Sequence, residues 1–323
     1  MRSVVGYLVC LVVALTIAFS FTPKPAPVQA ELALRSDRVQ INGLLTLGPR
    51  VIAVGERGSI LLSDDQGVSW RQADVTPQRD VALTALVALS EQRLLAVGHD
   101  GWILRSDDGG NHWQEVRHDA QLGEPLLGIW SAGNDQVLAF GSFGKFYQSA
   151  DGGTHWQPLA LPVDSAHLNS MDGDRDGRRM LVGEQGLVLR SADGGQHWQT
   201  LPAFYNGSLF GIVRLSADHW VTYGMRGHVF VSRDFGDSWT QVKLGNQLPL
   251  YGHVLLPDHS GLLIVGAGSA LVRLDAQGGL VGVGRMPGLG TLTSAVLVGE
   301  RLLVGGERGV FQGSSGSVAA LGK

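Results

Sequence analysis

The chain has 323 residues, of which 17% are charged, a formal net charge of −4 and a single cysteine. A mildly acidic balance excludes a nucleic-acid partner held by a broad basic surface, and one thiol excludes an internal disulfide framework. Forty-six glycines, with few apolar stripes of helical length, point to many short strands joined by tight turns.

The N-terminus comes first. Residues Val4 to Phe21 form an apolar run behind Arg2, followed by the proline-rich stretch Pro23 to Pro27 and then Val28-Gln29-Ala30. Ala30, two residues after Val28, resembles a signal-peptidase site, so residues 1–30 read as a signal peptide; the run is also long enough to remain as a membrane anchor over residues 4–21. Both readings place residues 31–323 on the exported side of a membrane, periplasmic or lumen-like. Cys10 lies inside this segment, and removal of Arg2 and Lys24 with it takes the net charge to −6.

From Ala53 onward one pattern recurs: two glycines three apart, an apolar stretch, then Ser-x-Asp-x-Gly-x-x-Trp. The five full boxes are Ser63, Asp65, Gly67, Trp70; Ser106, Asp108, Gly110, Trp113; Ser149, Asp151, Gly153, Trp156; Ser191, Asp193, Gly195, Trp198; and Ser232, Asp234, Gly236, Trp239. Their tryptophans fall 43, 43, 42 and 41 residues apart, a period suited to a four-stranded propeller blade. Units start at Gly55, Gly98, Gly141, Gly183, Gly224, Gly266 and Gly306, and the sixth box has decayed to Leu274-Asp275-Ala276-Gln277-Gly278. The expected fold is all-β: one seven-bladed propeller of four-stranded antiparallel blades over residues 31–323.

Each box carries its own structural explanation. The aspartate accepts backbone N–H groups across a turn, the serine adds a local bond, and the glycine takes a positive φ. Each tryptophan is expected to bury roughly 200 Å², worth about 5 kcal/mol. A repeated hydrolytic role for Ser, Asp and the neighbouring His112, His155 and His197 conflicts with the repetition, because an active site occurs once; these histidines read as partly exposed strand residues.

In the fourth unit Asp172, Asp174 and Asp176 alternate before Gly177, the opening of a calcium loop. Gly183 stands where an EF-hand needs glutamate, and Arg175, Arg178 and Arg179 dilute the charge. A polar hairpin turn is favoured, calcium is the alternative, and no other cofactor is expected. For closure of the seventh blade, an outer strand near Glu31 to Arg35 is favoured over one at Ser317 to Leu321.

If the strands of a blade run outward from the axis, the boxes lie on one face. The Gly-x-x-Gly turns then lie on the other, with the connections from each blade to the next. Variable residues on this second face are the candidate partner-binding set: Glu56, Arg57, His99, Asp100, Phe143, Glu184, Arg226, Glu307 and Arg308 from the turns, and Phe204, Tyr205 and Tyr251 from the connections. Arginine and aromatic residues are the commonest interface anchors.

The units, as in Val97-Gly98-His99-Asp100-Gly101-Trp102-Ile103-Leu104-Arg105-Ser106-Asp107-Asp108-Gly109-Gly110-Asn111-His112-Trp113, resemble those of the photosystem II stability and assembly factor family of Asp-box (BNR) propellers, over about residues 43 to 312. The resemblance implies an exported, non-catalytic propeller whose partner is an integral membrane protein or complex that it helps to assemble or stabilise, with no small-molecule substrate. The rival is a sialidase-like glycoside hydrolase, whose chemistry needs an arginine cluster, a tyrosine with a glutamate partner and a carboxylic acid at the axis. That reading requires Arg57, Arg226 and Arg308 to converge with Tyr205 or Tyr251 and a buried carboxylate.

Overall fold

The structure, a computed structural model, describes residues 2–20, 36, 38–119, 121, 123–163 and 165–313. It divides into two units, Met1–Leu34 and Arg35–Lys323. The first carries one helix, Arg2–Ser20. Its described apolar side chains are exposed, from 50% at Val13 to 78% at Tyr7.

The second unit is a propeller of seven antiparallel sheets, at residues 41–72, 83–117, 126–158, 168–200, 209–242, 250–285 and 292–313. In every sheet the antiparallel strands follow chain order from the axis outward, and the innermost strands adjoin one another around the ring, the seventh against the first. Thr293 Oγ1 donates to Ile41 O at 2.6 Å, and Leu44 N–H donates to Ser294 Oγ at 3.0 Å, across the closing seam. Second strands such as Leu94–Gly98 and Val137–Gly141 are buried throughout. They are covered on both faces by neighbouring blades, which is why they read as unbroken apolar runs.

Two sheets depart from four strands. The second gains a strand, Asp74–Thr76, lying parallel to its outer strand His112–Arg117. The seventh has three strands among the described residues. Both sequence candidates for its outer strand, 31–35 and 317–321, lie outside the described residues, although Val310 N–H donates to Ser36 O at 3.1 Å.

The boxes join third to outer strands as expected. In the first, Ser63 Oγ bonds Asp65 Oδ1 at 2.7 Å and receives Gly67 N–H at 2.7 Å. Asp65 also accepts the N–H groups of Val68 and Ser69, and Gly67 turns with φ 88°. The tryptophans depart from the expectation of equal burial. Trp113 is 1% exposed while Trp70, Trp156, Trp198 and Trp239 are only half-buried. The reason is the extra strand, which sets Val75 beside Trp113. The box histidines are exposed but tied down: Nδ1 of His155 and of His197 lies 2.6 Å from the Oδ2 of Asp151 and of Asp193, as Ser69 and Ser238 hydroxyls bond their own box aspartates. The His155 backbone N–H and ring hold the Asp151 carboxyl well below the usual range, and His197 does the same for Asp193.

Candidate functional site

The Gly-x-x-Gly turns join second to third strands, on the face opposite the boxes. At the first glycine the constraint is space. A Cβ on Gly183 would lie 2.2 Å from His167 O, and one on Gly141 would lie 2.2 Å from Pro125 O. Two residues later the backbone turns left-handed with a non-glycine residue in five blades, at Arg57, Asp100, Phe143, Gln185 and Arg226, with φ between 53° and 58°. That conformation costs an L-residue about 1 kcal/mol. Its repetition assigns the strain to the turn, and each blade differs only in the side chain it presents.

Three exposed apolar side chains lie on this face, from blades three, five and six: Phe143 (55% exposed), Met225 (36%) and Tyr251 (36%). The Phe143 ring lies 4.8 Å from the His167 ring, at the mouth of a groove of about 670 Å³ bounded by Val163, Ala166, Leu187 and Leu201. Glu184 closes one side, its Oε2 accepting His167 N–H at 3.2 Å. Tyr251 stacks on Phe210 with ring centres 5.2 Å apart and planes at 28°. Sequence reasoning placed Tyr251 in a connection, whereas it lies on the innermost strand Leu250–Leu255.

Both residues of this stacked pair occupy a position that repeats around the axis. Each innermost strand carries a bulge after its first residue, at Asn42, Thr84, Leu127, Asn169, Phe210, Tyr251 and Thr293. The polar residues there bridge to the next blade: Asn42 Nδ2 to Leu83 O and Asn169 Nδ2 to Leu209 O at 2.8 Å, and Thr84 Oγ1 to Leu126 O at 2.7 Å. Leu127 and Phe210 have no donor for that bridge, and the Tyr251 hydroxyl sits at the far end of its ring, away from the backbone.

Two predicted anchors are otherwise engaged. Phe204 stacks on Trp239 with centres 4.9 Å apart and meets Phe230 edge-on at 4.9 Å, so it packs into the seam between blades four and five. Tyr205 donates to Met225 O at 3.2 Å and pairs with His228 Nδ1 at 2.9 Å, and burial pushes its phenol up. Among the acids, Glu307 Oε2 accepts Thr291 N–H at 3.1 Å, and Asp100 is half-buried with its carbonyl accepting Asp119 N–H. Glu56 is half-buried and His99 exposed at the rim.

Charge on this face is divided by sector. Around blades one to three, four cations are paired: Arg57 with Asp80, Arg79 with Glu115, Arg117 with Asp119 and Lys145 with Glu124. Around blades five to seven Arg226, Lys243, Arg285 and Arg308 are exposed and form no ion pair among the described residues. Lys243 and Arg285 escaped the sequence reading because they end outer strands rather than sit in turns; the signal was a terminal cation with no acid nearby. The geometry does not assemble a glycosidase centre. Arg57 is paired with Asp80, Arg226 lines a separate pocket of about 360 Å³ with His228 and Lys243, and neither Tyr205 nor Tyr251 meets a carboxylate among the described residues.

On the opposite face the three alternating aspartates do not fit calcium. Arg214 Nη1 lies 2.8 Å from Asp174 Oδ2 and Nη2 bonds Asp176, so a guanidinium takes the cation's place. Asp172 is turned inward, accepting Arg214 N–H at 2.7 Å and Gly173 N–H at 2.8 Å. Burial pushes its carboxyl up to about 6, against the lowering effect of those donors. Among the described residues no group of three or more His, Cys, Asp or Glu side chains is arranged to hold a metal.

The model of the family described as photosynthesis system II assembly factor YCF48 matches residues 49–160 and 154–256. The fold is similar to YCF48 from Cyanidioschyzon merolae (TM-score 0.68, 15% identity, 87% of this chain and 98% of that one). It is equally similar to a structure of YCF48 bound to D1 peptide (0.68, 16%, 90% and 97%). An ancestral GH74 enzyme is matched over 87% of this chain and 45% of its own (0.69, 14%). At such identities these likenesses speak for the fold alone. No curated protein sequence matches the chain.

Proposed function

Because the chain belongs to the photosynthesis system II assembly factor YCF48 family, we propose that it is an exported, non-catalytic propeller that binds a segment of an integral membrane protein and assists the assembly or stability of its complex. The observation that carries this reading is the face of the Gly-x-x-Gly turns, which exposes Phe143, Met225 and Tyr251 and four cations that form no ion pair among the described residues. Aromatic and arginine side chains are the usual anchors of an interface, and unpaired charge steers encounter. The similar structure with a bound D1 peptide supports a peptide segment as the ligand form. The exposed apolar helix Arg2–Ser20 supports export.

Photo-crosslinking in cells from position 143, with Val68 on the box face (67% exposed) as the control, tests the reading. A membrane protein captured from 143 and not from 68 is the expected result. Equal capture from both, or none from 143 in a correctly exported chain, overturns it, as does turnover of a fluorogenic sialoside.

A further inference from the structure

The sixth blade lacks the tryptophan box, and its outer edge differs from those of blades one to five. In blades one, three, four and five the outer strands are Arg71–Gln72, Gln157–Pro158, Gln199–Thr200 and Thr240–Val242, two or three residues long and mostly polar. In blade two the outer strand is covered by Asp74–Thr76. These are the devices by which sheet edges are protected from further pairing: shortness, proline, polarity and cover.

Blade six uses none of these four, and its only break in the ladder is a bulge at Val281. Asp275 Oδ1 accepts the N–H groups of Gln277 at 2.9 Å and Gly279 at 2.7 Å, closing a tight hairpin where the box would stand. The strands therefore stay paired from Leu274–Leu280 to Ala270–Arg285, whereas boxed blades one, three and four pair these strands at two positions. The result is a six-residue terminal strand, Leu280–Arg285, with Leu280 41%, Val281 37% and Val283 39% exposed.

We propose that Leu280–Arg285 is a strand-addition site for an extended, apolar segment of a partner protein that carries a carboxylate opposite Arg285. Strand addition draws its affinity from main-chain hydrogen bonds along the edge and its specificity from alternate side chains. A second copy of this chain fits less well. Three side chains each about two-fifths exposed offer far less than the ~800 Å² per partner of a stable interface. Antiparallel pairing of two copies would also set Arg285 against Leu280, and parallel pairing would set it against another Arg285. Either leaves the guanidinium without the acid that it lacks among the described residues. The site shares only Arg285 with the face of the Gly-x-x-Gly turns and lies apart from Phe143, on blade six rather than blade three, so its failure would leave the crosslinking result at Phe143 untouched.

The test uses the full chain and a fluorescein-labelled, end-blocked peptide of alternating valine and threonine ending in two aspartates. Hydrogen exchange is read by mass spectrometry and affinity by fluorescence anisotropy. Saturating peptide is expected to slow amide exchange across 280–285 by about tenfold. Val283→Lys should weaken binding at least tenfold with an unchanged melting temperature, since the side chain is exposed. Arg285→Glu should weaken it as well, with recovery on a peptide ending in two lysines. No slowing at 280–285 in millimolar peptide, or binding indifferent to Val283→Lys, overturns the proposal. So does a concentration-dependent dimer in sedimentation that Val283→Lys abolishes, because the edge would then belong to a second copy.

Discussion

Replacing Trp113 and Trp156 by alanine separates what the repeat makes equivalent from what the fold makes different. Both indoles donate Nε1–H to the carbonyl of their box glycine, at 2.8 Å from Trp113 and 3.0 Å from Trp156. The lost hydrogen bond therefore cancels in the comparison. Trp113 is 1% exposed, beside Val75 and within the cluster that holds Trp102, whereas Trp156 is half-buried at the rim of its cluster. Some 200 Å² of aromatic surface at ~25 cal/mol/Å² gives about 5 kcal/mol for Trp113, and a cavity adds to it. With part of its ring in water, Trp156 is worth about half as much. Urea unfolding followed by far-UV circular dichroism, with a shared m-value, should place the Trp113→Ala midpoint well below that of Trp156→Ala, by about 2 kcal/mol or more. Equal losses would show that the box, and not the covering strand, sets the contribution of its tryptophan.

Two further predictions concern Asp172 and its neighbours. Millimolar calcium, or its removal by chelator, should leave the melting temperature unchanged, while Arg214→Leu should lower it, because that guanidinium already pairs with Asp174 and Asp176. A calcium-induced rise of several degrees in the unaltered chain would refute this. Burial raises the folded-state pKa of Asp172 to about 6 from an ordinary 3.8. The folded state therefore holds this proton more tightly, and the Asp172 contribution falls as pH rises from about 4 to about 6, by up to ~3 kcal/mol. His253, lowered by burial to about 4, acts in the opposite sense, its contribution growing from about pH 4 to 6.5. The readout is therefore the difference in unfolding free energy between the unaltered chain and Asp172→Asn across that window. A flat difference would count against a protonated, buried Asp172.

The residues that repeat told the fold, and the reason is local. A box turn is built from bonds spanning two to four residues, such as Ser191 Oγ to Asp193 Oδ1 and Gly195 N–H to Ser191 Oγ, so its pattern is visible without the rest of the chain. The inter-blade partners were not read because each lies about one repeat away. Arg214 meets Asp174, Arg93 meets Asp135, and Arg178 meets Asp218. The partner of Asp174 and Asp176 was invisible for that reason: Arg214 stands 38 to 40 residues downstream. Phe204 and Tyr205 were read as free anchors on the same ground, since the rings that hold them, Trp239, Phe230 and His228, belong to the next blade. Phe143 differs because the turn that holds it is complete in four residues, and its exposed ring meets His167 from the following connection.

A ring of seven similar blades can carry a specific surface only where it departs from its own repeat, and the bulge position shows what such a departure exchanges. Thr84 and Thr293 each bond the carbonyl of the next blade, at 2.7 Å and 2.6 Å, while Tyr251 spends the same position on a stacked, partly exposed ring. Tyr251→Thr should restore the bridge, to Leu292 O, and contribute about 1 kcal/mol to stability. That gain offsets the loss of the stacking contact with Phe210, worth a similar amount. The melting temperature should therefore stay within about 3 °C, while crosslinking of the proposed partner from position 143 drops several-fold. A large loss of stability would mean that the aromatic pair is part of the scaffold. Unchanged capture would place the partner away from the axis, on the groove beside His167 alone.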